Sequence, residues 1–216
     1  MVRTTEQLEE VCALRVDGYS KRLPDYAAAL GHPEPEDTQP GTFIFVATRI
    51  SDGRLMGTSR LLTNIDVPIE LESHVNLPDQ FDGKLLAQGG RLSVVADEDN
   101  GTVLKLLLKA MHSCCRALEV SYVLVAAESP RDRFFKGFGF REVYPGQRFL
   151  VKSAMCHPAS VLYFDMDRTE QFLANNRQHL AFLKTYCPDV QTFSSLFASW
   201  ITPRSSESQA PPLRSV

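Results

Sequence analysis

Apolar residues recur at helical spacing from the start of the chain. Thr4 and Gln7 are spaced as a capping box, and Leu8, Val11 and Cys12 continue one face, which predicts a helix from about Glu6 to Tyr19. Arg15 and Tyr19 lie on that same face. An arginine in line with a buried stripe either packs its stem and sends its head to water, or points into an anionic site. The eleven residues "GHPEPEDTQPG" hold three prolines and two glycines and read as a loop. "TFIFVATR" and "LMGTSRLL" follow as antiparallel strands joined by the turn "SDGR". The stretch from Thr63 to Lys84 is polar and irregular, long enough to be a functional loop. "LLAQGGRLSVV" resumes strand character, and its Gly89-Gly90 pair predicts a bulge or the close approach of another group.

The longest helical stripe is "VLKLLLKAMHSCCRAL", broad enough to lie flat on a sheet. "SYVLVAA" is a short continuous apolar run, the pattern of a buried strand with a parallel neighbour. Ser129, Pro130 and Asp132 supply an N-cap, a first-turn proline and an acid for a short helix. Phe134, Phe135 and Phe138 form its apolar side, and Gly139 ends it. "FREVYP", "RFLVKSAM" and "SVLYFDM" read as later strands. A helix from Thr169 to Cys187 then carries Phe172, Leu173, Asn176, Leu180 and Leu183 on one side, with Phe193, Phe197 and Trp200 as a short amphipathic continuation. The strand–helix–strand alternation between antiparallel hairpins predicts a mixed-sheet α/β domain over residues 1–167, with a helical extension over 168–202. Residues 203–216, rich in Ser and Pro, read as a disordered tail.

Composition narrows the function classes. With 23 Lys+Arg against 26 Asp+Glu, the net charge of -3 gives no basic footprint for nucleic acid or an anionic membrane. No apolar run approaches the ~20 residues of a spanning helix, and "MVRTTEQLEE" lacks a signal-peptide core, so a cytoplasmic protein is the expectation. The five cysteines lack C-x-x-C spacing, which argues against a zinc site or disulfide framework, and no metal is expected. Cys114 and Cys115 fall in the apolar helix, where free cysteine is a small hydrophobe; a nucleophilic cysteine is the minor reading.

The succession of hairpin, bulged strand, long helix, strand, short helix and "FFKGFGF" resembles the GCN5-related N-acetyltransferase (GNAT) superfamily. "EEVCALRVDGYSKR" and "GTSRLL" look like the first helix and the Gly-x-x-Arg-Leu strand of its autoinducer-synthase and N-acyl amino acid synthase branch. The resemblance covers roughly residues 3 to 166. It implies a mixed, splayed central sheet flanked by helices, with the arm of an acyl thioester in the gap. The donor would be acyl carrier protein or acyl-coenzyme A, and the acceptor a small-molecule amine. By the same resemblance, Arg15, Tyr19, Asp37 and Arg60 fall on substrate-binding positions and Arg91 on the arginine of a Glu-x-x-Arg pattern. Val94, Val95, Asn100, Gly101, Thr102 and Val103 fall on the donor-binding stretch.

Three departures from the family pattern bear on chemistry. The usual pyrophosphate loop is glycine-rich, because glycines let backbone N–H groups approach phosphate. Here Gly101 is the one glycine, after Asp97, Glu98 and Asp99, whose carboxylates would repel a pyrophosphate and so favour a carrier-protein donor. Gln88 stands where the family has a glutamate able to take the amine's proton. Phe135 stands where a tyrosine usually protonates the leaving thiolate. Asp37, Glu70, Glu72 and His74 are loop candidates for the base. Arg60 and Arg91, set within apolar strand patterns, either pair with Asp37 or another acid or bind an acceptor carboxylate. The expected activity is N-acyl transfer from a thioester to an amine such as an amino acid. A catalytically silent binding module and a plain acetyl-coenzyme A acetyltransferase are the alternatives.

Overall fold

In the computed structural model, residues 2, 4–21, 23–96, 100–154 and 157–185 are described. Thr4 accepts from the Gln7 N–H while Gln7 accepts from the Thr4 N–H, and this reciprocal cap opens α1 (Thr5–Ser20). Two short helices follow, α2 (Pro24–Ala29) and α3 (Pro35–Thr38), each opened by a proline whose missing N–H costs nothing in a first turn. The hairpin of β1 (Thr42–Thr48) and β2 (Leu55–Thr63) forms as its alternation predicts. The irregular stretch after it holds α4 (Glu70–His74) and a single 3-10 turn.

The chain continues as β3 (Leu86–Val94), α5 (Asn100–Ala117), β4 (Tyr122–Glu128) and α6 (Arg131–Gly137). Short strands β5 (Arg141–Glu142) and β6 (Phe149–Leu150) precede β7 (Pro158–Asp165), and α7 (Thr169–Phe172) and α8 (Arg177–Lys184) close the described chain. The strands form a seven-stranded open sheet, ordered β1-β2-β3-β4-β7-β5 with β6 also on β7. Among the described residues β3 and β4 are the parallel pair, and all other pairings are antiparallel.

Two features of this sheet make the site. First, β3 and β4 pair only over Leu86–Gln88 and Tyr122–Leu124, after which both strands run on without a shared ladder. Second, β3 bulges: Arg60 faces Gly90 and Thr58 faces Ser93, so three steps on β3 oppose two on β2. The glycine pair suggested this bulge, but both glycines keep ladder positions, and it is Arg91 that takes the left-handed conformation at φ +51°. Gly89 instead serves close packing, since a Cβ there would lie 3.1 Å from Met111 Cε and 3.3 Å from Val125 Cγ1.

Helix α5 packs on one sheet face against Phe43, Leu61, Ala87 and Phe164, while α4 and the 3-10 turn cover Leu62, Leu86, Leu124 and Val161 on the other. Three sequence expectations shift. Helix α6 begins at Arg131, and Pro130 rather than Ser129 occupies the cap. "FREVYP" and "RFLVKSAM" contribute only the two-residue strands β5 and β6. The helix expected from Thr169 to Cys187 breaks, because the Asn176 side chain accepts from the His179 N–H and caps a new helix. The segment with Phe193, Phe197 and Trp200, the 203–216 tail, Cys156, Cys187 and Asp97–Asp99 lie outside the described residues. Among the described residues no helix is long and apolar enough to cross a membrane.

Candidate active site

Where β3 and β4 part, a cavity of about 500 Å³ opens between Gly89–Val94 on one strand and Val125–Glu128 on the other. Met111 and Cys115 of α5 line one end, and Gly18 and Tyr19 of α1 line another. Phe134, Phe135 and Phe138 of α6 form a further wall. Their rings continue into the core: Phe134 meets Phe135 at 5.3 Å, Phe135 meets Phe140 at 5.5 Å, and Phe140 meets Phe164 at 5.4 Å. These contacts explain the aromatic crowding after Arg131. Helix α8 adds His179 and Leu183 to the lining. It is held there by Lys109, whose ammonium donates to the carbonyls of Phe182 and Thr185 at the helix's C-terminal end.

Beside the bulge lies a buried ionic network. Arg15 grips Asp37 with both terminal nitrogens at 2.7 and 2.9 Å. Arg60 bonds Asp37 at 2.9 Å and Glu34 at 3.1 Å. Arg91 grips Glu34 through Nε at 2.5 Å and Nη2 at 2.6 Å. The Glu34 N–H donates to Asp37, which ties the two acids across α3. Of the roles open to these arginines, the geometry shows pairing: Arg15 points into an anionic cluster, and three guanidiniums share two carboxylates. Glu34 is the residue that sequence reasoning missed. The pairing also anchors the side chain of Arg91, whose left-handed backbone is uncommon for an L-residue and costs of order 1 kcal/mol or more.

The network predicts an acid limit to stability. Burial alone would raise the Asp37 carboxyl, but the Arg15 hydrogen bonds and the Arg15 and Arg60 charges outweigh it and hold the pKa at about 2. Glu34 is lowered too, with burial opposed by the Arg91 hydrogen bonds and by the charges of Arg91 and Arg60. A carboxyl depressed in the folded state contributes stability above its unfolded pKa of about 4 and loses it as pH falls through about 2; for Asp37 that is about 2–3 kcal/mol. Urea titrations between pH 6 and 2 should show a falling midpoint below pH 4. A midpoint independent of pH there would contradict the pairing.

The other expected site residues divide. Tyr19, Arg91, Val94 and Phe135 line the cavity. Val95 is partly buried, Gly101 and Thr102 are exposed near the start of α5, Asn100 begins that helix, and Val103 packs in the core. Gln88 is buried but turns its amide away, accepting from the Leu71 N–H at 3.1 Å and donating to Glu70 at 3.2 Å. A carboxylate therefore does stand beside position 88, supplied by α4. Glu72 caps that helix, accepting from the Ile69 N–H. Burial pushes the Cys114 thiol up to about 12 and Cys115 well above its usual value, which opposes the thiolate form that a nucleophile needs. His112 also lines the cavity; burial, aided by the charges of Arg116 and Lys109, lowers it to about 4 and keeps it neutral.

No protein-family model matches the chain, and no curated protein does. Solved structures do share its fold. FeeM, an N-acyl amino acid synthase from uncultured soil microbes, is 13% identical, with a TM-score of 0.59 over 81% of this chain and 93% of that one. BjaI, a coenzyme A-dependent acyl-homoserine lactone synthase solved with SAM and isopentyl-CoA, is 19% identical, with a TM-score of 0.54 over 79% of this chain and 82% of its own. An acetyltransferase of the GNAT family from Staphylococcus aureus Mu50 is 15% identical, with a TM-score of 0.52 over 77% and 97%. Sheet order, splayed strands and these likenesses together show that the chain is built on the GNAT fold, with autoinducer and N-acyl amino acid synthases among its structural neighbours.

Proposed function

We propose that this protein is an N-acyltransferase that moves an acyl group from a thioester, preferably on a carrier protein, to the nitrogen of a small amine such as an amino acid. The observation that carries this reading is the apolar cavity between the splayed strands, next to a bulge that leaves a residue outside the ladder. A thioester arm fits along Leu92–Val94 with its carbonyl at the bulge. A neutral amine then attacks the carbonyl carbon. The C–N bond forms, backbone N–H groups at the bulge stabilise the oxyanion, and collapse breaks the C–S bond. Holding the two reactants together contributes more to rate than proton transfer does, so the loss of two side chains leaves catalysis feasible.

Cavity size bears on the acyl group. An acetyl group would occupy only a small part of about 500 Å³, and the lining continues past the bulge to Met111, Cys115, Phe164 and Met166. A longer acyl chain supports filling that apolar end, at about 0.8 kcal/mol per buried CH₂. The test is thiol release from acyl carrier protein and acyl-coenzyme A donors of increasing chain length, with and without amino acids. Acceptor-dependent release that is faster for longer acyl groups is the expected result. A donor bound with no release under any acceptor would assign a binding module instead, and release restricted to acetyl-coenzyme A would assign a plain acetyltransferase.

A further inference from the structure

Phe135 has no hydroxyl, yet a phenol does line the cavity. The last turn of α1 lies directly on β3: a Cβ on Gly18 would sit 1.8 Å from Ser93 Oγ, and that hydroxyl donates to the Leu14 carbonyl. The next residue, Tyr19, is only 5% exposed and forms cavity wall with Gly90 and Arg91. The Arg131 guanidinium lies 5.5 Å from the centre of the Tyr19 ring. Arg131 is four residues before Phe135 on α6, so the two share a helix face, and the guanidinium that reaches Tyr19 comes from one turn before the phenylalanine, with all three residues lining the same cavity. Tyr26 packs edge-on against the Tyr19 ring at 6.0 Å and fixes its orientation. Among the described residues no hydrogen bond is made by the Tyr19 hydroxyl.

We propose that Tyr19 is the catalytic acid, delivering from α1 the proton that position 135 cannot. The inference rests on the acyl-transfer reading. As the tetrahedral intermediate collapses, the C–S electron pair passes to sulfur, and sulfur takes the phenolic proton of Tyr19. The resulting phenolate recovers a proton from solvent, and the acceptor nitrogen releases its own proton to water, so the step balances. Sequence patterning hid this role because Tyr19 and Phe135 are far apart in the chain and come to line one cavity only through the packing of α1 on β3.

The test is Tyr19→Phe, which keeps the ring and its packing. The variant should lose about 100-fold in kcat, within the range for general acid catalysis, with donor KM changed less than about twofold. Adding Phe135→Tyr to that variant should restore kcat by roughly tenfold or more, since it returns a phenol to the same cavity. A second readout needs no turnover: the wild type should bind a pantetheine thiol more tightly than its desthio analogue, and Tyr19→Phe should erase that difference. Wild-type kcat in Tyr19→Phe, together with an unchanged thiol preference, would overturn the proposal. If the wild type releases no thiol with any acceptor, acyl transfer itself fails. The thiol preference then decides by itself whether Tyr19 meets sulfur.

Discussion

Glu34→Ala should destabilise the fold by about 3–5 kcal/mol, because it removes one partner of a buried ionic network and leaves the rest in place. Glu34 accepts from Arg60 and makes a two-point contact with Arg91, and both guanidiniums are at most 4% exposed. Losing the carboxylate leaves Arg60 with Asp37 alone and takes from Arg91 its two-point contact, at a residue whose left-handed backbone shapes the bulge. In a domain of this size the loss corresponds to a fall in Tm of roughly 10 °C. Glu34→Gln keeps acceptor oxygen but not charge and should fall between the two. A Glu34→Met, Arg91→Met pair replaces ion pair by packing and should recover much of the loss. Calorimetry of the three variants checks this order. A single Glu34→Ala variant with wild-type Tm would show that the network contributes nothing to stability.

The fold was largely legible because each element carries its own local signal. Thr4 and Gln7 state where α1 begins, the stripe from Val103 to Leu118 states α5, and the apolar run at Tyr122 states a buried strand. What failed were features that depend on tertiary contact or on a single side chain. Asn176 lies on an apparent apolar stripe, yet its amide caps a helix instead. The glycine pair did mark the bulge and a close approach, but not that the left-handed residue would be Arg91, just after it, where an ion pair anchors the side chain. Glu34 was hidden in a proline-rich loop, although a signal existed. Three arginines set within apolar patterns need more than the one carboxylate of Asp37, and "PEPED" is where the next acid stands. The cavity itself is a gap between strands, which no residue pattern encodes directly.

Gly90→Leu should remove activity without touching stability, and the contrast with its neighbour explains why. A Cβ on Gly89 would press on Met111 and Val125 at 3.1 and 3.3 Å, so even alanine there must displace the core. A Cβ on Gly90 meets nothing within 4 Å, and its φ is not in the left-handed region. Successive strand residues face opposite ways, so Gly90 opens toward Arg60 and α1, the side from which Tyr19 reaches the cavity. The first carbon of a leucine at 90 therefore meets no clash, the cavity that Gly90 lines is where the rest of the side chain would go, and the expected stability change is within about 0.5 kcal/mol. It also occupies the space where the proposed amine and thioester carbonyl must meet. Displacing reactants by about 1 Å already costs some 100-fold, and a whole side chain displaces them further, so turnover should fall by at least that factor. Thermal unfolding and acceptor-dependent thiol release measured on the same preparation separate the two effects. A folded Gly90→Leu protein that turns over like the wild type would move the reaction out of the splayed strands. Loss of both stability and turnover would instead mean that the space beside Gly90 is filled in the working protein.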